Sequence, residues 1–151
     1  MAEIDTIKTE NNATIERQLR FVAAIIKERG RQLLKDVGIT PPQFVALQWI
    51  SDEEGMTIGE LSARVYVPFS TATDMIDRLE ERELVKRVKD ENDKRLVRIH
   101  LQPKGLDLIR SVIHKRQDFL EEKLGHLSEE EIRGFQNGLN HLYQEIKKDF
   151  K

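Results

Sequence analysis

The sequence predicts a mainly α-helical fold carrying one small β-hairpin. Three observations predict it. Apolar residues recur at helical spacing over long stretches at both ends of the chain. Two short helical segments in the middle are interrupted at Val67-Pro68. Two β-branched, basic segments, Leu84 to Lys89 and Leu96 to Leu101, flank the turn-forming Asp90-Glu91-Asn92-Asp93. A packed helix pair followed by such a hairpin makes a winged helix-turn-helix core, here flanked by long N- and C-terminal helices.

The first long helix is expected over roughly residues 10–37, where Ile15, Leu19, Val22, Ile26, Arg29 and Leu33 form one seam and Gly38 ends it. Thr40 caps the second helix, with Pro41 in its first turn and Gln43 completing a capping box. Phe44, Leu47, Trp49 and Ile50 are its apolar content, and Gly55 closes it. Thr57 and Glu60 form another capping box, opening a short helix with Ile58, Leu61 and Val65 on one face. Proline lacks an amide hydrogen and pushes its predecessor out of the α region, so Val67-Pro68 ends that helix. Ser70 or a neighbour opens the next, which buries Ala72, Met75, Ile76 and Leu79. Ser70, Thr71 and Thr73 then lie at its N-terminal end, where hydroxyls can donate to phosphates or base edges. Taken alone, those residues fit a plain helix cap better. After the hairpin, Leu106, Ile109, Ile113, Arg116 and Leu120 continue a helical seam, and Gly125 separates it from a last helix. Ser128 and Glu131 cap that helix, and Ile132, Phe135, Leu139, Leu142, Ile146 and Phe150 line it.

The hairpin carries the functional signal. The chain has 25 Lys and Arg against 27 Asp and Glu, a net charge of −2. Yet the hairpin gathers Lys86, Arg87, Lys89, Lys94, Arg95 and Arg98 against Asp90, Glu91 and Asp93. Local positive charge of this kind binds phosphates, because each neutralised phosphate releases counterions. The bland alternative is a solvated hairpin of mixed sign, and the helix pair just upstream tips the reading towards nucleic acid.

Thr57 to Gly105 resembles the DNA-binding core of the MarR family of bacterial transcriptional regulators. The helix Thr57 to Val65, the recognition helix and exit Ser70 to Arg87, and the wing Asp90 to Gly105 carry the resemblance. Its most specific motif is the wing's Asp-x-Arg, here Asp93-Lys94-Arg95. The resemblance implies that Arg95 enters the minor groove with Asp93 orienting it, and that Ser70, Thr71 and Thr73 face the major groove. Arg78, Arg87, Lys94 and Arg98 complete the expected DNA-binding set. Residues 1–151 then form a single MarR-like unit, with 40–102 as the winged region and 10–37 and 106–150 as dimerisation helices. Their apolar seams need a partner, since an isolated helix gains little in water. Pairing in a homodimer is expected over folding back as a monomer, and the operator should be a pseudo-palindrome. Repression is the expected outcome, by occlusion of a promoter.

The resemblance also implies a small aromatic or phenolic effector held between the dimerisation helices and the winged core. Phe21, Ile25, Phe44 and Trp49 are the nearest candidates, although such residues at helical spacing are more often plain core. Two departures stand out. Pro68 and Phe69 occupy positions where the family commonly has a serine cap and a proline, and Asp74 stands where a basic residue often follows the threonine. Asp74 repels phosphate but can accept from cytosine N4. The wing is therefore expected to supply much of the electrostatic grip.

Other classes find little support. There is no cysteine, which excludes disulfides, thiolate metal sites and thiol-based peroxide sensing. No apolar run approaches the roughly 20 residues of a membrane span, and the polar N-terminus is no signal peptide, so the cytoplasm is the expected location. No phosphate loop, G-x-S-x-G or H-E-x-x-H is present, so no enzyme and no cofactor are expected. His100, His114, His126 and His141 lack metal-ligand spacing. The remaining alternative is a winged module used for protein contacts without DNA, because fold alone does not decide function.

Overall fold

The computed structural model describes residues 2–150, the side chains of residues 2, 4 and 7 apart. Its elements follow the order α1 (Ala2–Asp36), α2 (Pro41–Asp52), β1 (Met56–Thr57), α3 (Ile58–Val65), α4 (Phe69–Glu81), β2 (Val85–Lys89), β3 (Val97–Leu101), α5 (Pro103–Leu124) and α6 (Glu129–Lys147). A 3₁₀ turn over Lys148–Phe150 follows α6.

Helix α1 starts well before the expected residue 10. Glu3 and Asp5 in its first turn complement the helix dipole, and the Thr9 hydroxyl donates to the Asp5 carbonyl at 2.7 Å. Its C-terminus closes on Gly38 at φ 69°, with Ile39 N–H bonded to the Leu34 carbonyl and Gly38 N–H to that of Lys35, both at 3.0 Å. This is a Schellman motif on a residue without a Cβ.

The strands form one antiparallel sheet of order β1-β3-β2, with Met56 opposite Ile99 and Arg87 opposite Ile99 on the other side. Strand β1 had no signal in the sequence, being only two residues long.

Two compact units divide the chain within α5, between Ile113 and His114. In the first, Phe44, Leu47 and Ile50 of α2, Leu61 of α3, Ile76 and Leu79 of α4, Leu84 just ahead of β2, and Val85 and Ile99 of the sheet are all at most 2% exposed. Ile109 and Val112 of α5 join this core. The start of α5 approaches the chain ahead of β2 so closely that a Cβ on Gly105 would stand 2.3 Å from the Leu84 carbonyl oxygen. Gln102 N–H bonds to that same oxygen at 2.9 Å. In the second unit, α6 opens with the Ser128–Glu131 capping box and buries none of its residues. Phe135, Leu139, Leu142, Tyr143 and Ile146 on it are all between 37% and 58% exposed.

Candidate nucleic-acid interface

The helix pair is built as its capping residues require. Thr57 accepts from Glu60 N–H at 3.1 Å, and the Glu60 carboxylate takes the Thr57 N–H at 3.0 Å. Leu61 turns α3 onto the core. The helix ends at Tyr66, which takes the left-handed conformation at φ 55° and is 94% exposed, while Val67 N–H bonds to the Ser62 carbonyl at 3.1 Å. The break therefore falls at Tyr66, one residue before the expected Val67-Pro68. Pro68 takes the N-cap position of α4 without a side-chain cap, and the helix opens on Phe69, the neighbour of Ser70.

Ala72, Met75, Ile76 and Leu79 turn α4 inward. Ser70, Thr71, Asp74, Asp77 and Arg78 are exposed. Thr73 is half-buried and donates its hydroxyl hydrogen to the Phe69 carbonyl at 3.0 Å. Its proton is thus committed inside the helix, so Thr73 can offer an outside partner only a methyl group or an acceptor lone pair.

The hairpin sorts its arginines into two classes. Arg98 bonds Asp90 at 2.6 Å and donates to the Gly55 carbonyl at 2.9 Å, tying β3 to the wing tip and to the turn before β1. Arg87 reaches from β2 to α4, where its guanidinium pairs with Glu80 at 2.8 Å and with Asp77. Its own N–H donates to Glu80 at 2.8 Å. Burial pulls the Arg87 pKa down, and the bonds to Asp77 and Glu80 outweigh that, leaving it above its ordinary value. Both arginines, expected as phosphate contacts, are engaged within the protein.

Arg95 differs. Its side chain is 90% exposed and is held at the tip by Asp93, with Nε 3.1 Å and Nη2 3.3 Å from the carboxylate oxygens. Asp93 also accepts from the Arg95 N–H at 3.0 Å. Together the Arg95 side chain and then its amide hold the Asp93 carboxyl below the usual carboxylate range. Asp90 folds the turn by accepting from Asn92 and Asp93 N–H at 3.1 and 2.8 Å. Its carboxyl is lowered first by Arg98, then by the Asp93 amide. Lys94 beside Arg95 is exposed.

Sequence reasoning passed over Arg82. It donates to the Gly38 and Val37 carbonyls at 2.7 and 2.9 Å, fastening the end of α4 to the end of α1. No local pattern announces a bond between residues so far apart in the chain.

Comparison with known proteins settles the family. A family model described as MarR family matches residues 39–97. The chain is 50% identical over 139 residues to the HTH-type transcriptional regulator YsmB of Bacillus subtilis strain 168, spanning 92% of this chain and 95% of that protein. The chain belongs to the MarR family. Its fold matches a MarR family protein from Bacillus stearothermophilus, with a TM-score of 0.76 and 47% identity over 91% of this chain and 96% of that one. It also matches the transcriptional regulator Tm0710 of Thermotoga maritima, with a TM-score of 0.78 and 34% identity over 90% and 96% of the two chains. MarR-family membership makes the chain a winged-helix transcriptional regulator and not an enzyme.

The effector candidates of this MarR-family chain lie in different surroundings. Phe44 is 2% exposed inside the core. Phe21 is half-exposed on α1 with the Arg17 and Arg20 guanidinium groups each 5.4 Å from its ring centre, and Ile25 is 59% exposed. Trp49 lines a cavity of about 480 Å³ with Glu53, Glu60, Ala63, Arg64 and Tyr66. Arg64 stacks 5.3 Å above its ring while bridging Glu53 at 2.7 Å. Phe44 thus serves as core. Among the described residues no cluster of His, Asp or Glu could hold a metal, and no helix is long and apolar enough to cross a membrane.

Proposed function

We propose that this regulator acts in the cytoplasm as a homodimeric repressor, binding a pseudo-palindromic operator with α4 in the major groove and the wing in the minor groove. The carrying observation is Arg95: a guanidinium 90% exposed at the wing tip and held by Asp93, while Arg87 and Arg98 are engaged internally. A cation presented on a stiff support suits insertion into a narrow, electronegative groove. Ser70, Thr71 and Arg78 offer donors from α4, with Lys94 beside Arg95 as a phosphate contact.

The apolar faces support the dimer. Ile15, Leu19, Val22 and Ile26 of α1 are 40–51% exposed, and the α6 face is open as described. An exposed apolar helix face, as each of these is, marks an interface between molecules. A two-fold dimer presents its two recognition helices to half-sites about 34–36 Å apart.

Selection of bound duplexes from a random library by the purified chain at near-physiological salt tests the reading. Enrichment of a two-fold site is expected, and Arg95→Ala should weaken binding to it while leaving the dimer intact. Binding at near wild-type strength after that change would remove Arg95 from the interface. No enrichment, with dimerisation verified, would leave a winged module that contacts protein.

A further inference from the structure

We propose that Phe69 is a specificity-determining residue of the DNA surface, its ring packing on the C5 methyl group of a thymine in the major groove. The inference rests on the DNA-binding reading above and deepens it. Phe69 is the first residue of α4 and is 60% exposed. It shares the opening turn with Ser70 and Thr71, both exposed.

Nothing in the free protein calls for a phenyl ring there. The inward face of α4 is supplied by Ala72, Met75, Ile76 and Leu79. Helices α2, α3 and α6 all open on a Ser or Thr capping box, whereas Pro68 before Phe69 makes no side-chain cap. The opening of α4 thus gives up a capping bond and leaves apolar surface in water, two costs that a covered, bound state offsets. Thr73 lies one turn on, along the same stripe as Phe69. Its hydroxyl hydrogen is engaged by the Phe69 carbonyl, so Thr73 brings no donor hydrogen to a base edge beside the ring.

Recognition helices meet base edges with their N-terminal residues. Thymine is the base that presents a methyl group in the major groove, and Phe is among the side chains that contact it. A ring at the first position of α4 therefore selects for thymine by burying that methyl group.

Deoxyuridine differs from thymidine only by the methyl group and reads the contact directly. The operator selected by the full chain is remade with deoxyuridine at each thymine position in turn, in both half-sites. For the wild-type protein, one position should lose affinity by about fourfold per half-site, about fifteenfold for the dimer, from one lost methyl burial each. Phe69→Ala should weaken binding to the thymine operator and no longer distinguish the two bases at that position, while Phe69→Leu keeps the distinction. Both variants should retain the wild-type circular dichroism and dimer, the side chain being exposed. Wild-type indifference to deoxyuridine at every position overturns the proposal and leaves the DNA reading standing. So does a sensitivity that Phe69→Ala does not reduce. Failure to select any operator overturns both.

Discussion

Replacing Arg87 by methionine separates a residue that holds the reading surface together from one that touches DNA. Arg87 is 27% exposed in its side chain, and its partners Asp77 and Glu80 are 50% and 39% exposed. Exposed ion pairs contribute about 0.2–1 kcal/mol, whereas breaking a buried one costs about 3–5 kcal/mol. Two half-exposed bridges to one guanidinium therefore place Arg87→Met at about 1–2 kcal/mol of lost stability, measured by denaturation at a fixed protomer concentration. The change takes the guanidinium from Asp77 and Glu80 and leaves the residue-87 backbone N–H to Glu80 in place, loosening α4 against β2, so affinity for the operator should fall. The salt dependence of binding should not change, because no phosphate contact is removed. Arg95→Ala is the contrast: with two wing arginines per dimer, the slope of log K against log salt should shrink by about 1.8. Adding Glu80→Gln and Asp77→Asn to Arg87→Met should recover part of the lost affinity, since the unpaired charges are then gone. A slope that shrinks by about 1.8 in Arg87→Met as well would show Arg87 on phosphate and refute the assignment.

Four further outcomes follow from the geometry. Gly105→Ala should destabilise the winged unit by about 1–3 kcal/mol or more, since its Cβ would meet the Leu84 carbonyl at 2.3 Å; wild-type stability in urea would show that α5 can shift freely. Tyr66→Gly should leave stability unchanged or raise it by up to about 1 kcal/mol, because a left-handed position exposed at 94% favours glycine; a lower melting temperature counts against this. Asp90 titrates below its ordinary value in the folded wing, so its contribution is present above the unfolded pKa of about 4 and is lost as pH falls through the lowered one. Protection of the wing-tip amides, taken against the intrinsic exchange rate at each pH, should fall over that acid range in the wild type and not in Asp90→Asn, and an equal fall in both would sink the linkage. Leu139→Glu on the exposed face of α6 should shift the protein to monomer in analytical ultracentrifugation, and an unchanged dimer would place the interface elsewhere.

The helices were legible wherever the capping chemistry was local. Thr40, Thr57 and Ser128 each form the box their spacing announces, because both partners lie within one turn. The helix ends were less legible when a residue other than glycine took the left-handed position. Tyr66 and Glu83 adopt φ 55° and 59° at the ends of α3 and α4, where no glycine marks the left-handed position. Val67-Pro68 was the visible punctuation, and it lies just after the true break. The candidate site divided along the same line. Asp93 and Arg95 are two residues apart, so their pairing follows from the motif. Arg87 met Asp77 and Glu80, and Arg82 met α1, only through the fold. Counting basic residues therefore overstated the free positive charge of the hairpin.

That pairing has a consequence for how the regulator discriminates among DNA sequences. Non-specific affinity comes almost entirely from cations meeting phosphates. Here the exposed residues of α4 include Asp74, Asp77 and Glu81 beside Arg78, in a chain whose net charge is −2. Two of the wing's arginines are spent on Asp77, Glu80 and Asp90. We expect the grip on arbitrary duplex to rest on Lys86, Lys89, Lys94 and Arg95 of the wing, the recognition helix gaining little from approaching phosphate unless its base contacts are satisfied. Because a genome offers some millions of competing sites, the useful quantity is the ratio of specific to non-specific binding and not the affinity alone. An acidic recognition helix with one exposed wing arginine raises that ratio by lowering its denominator. The same logic explains why an apolar residue such as Phe69 is tolerable at the leading end of α4: it adds nothing to phosphate binding, and its contribution appears only against the right base.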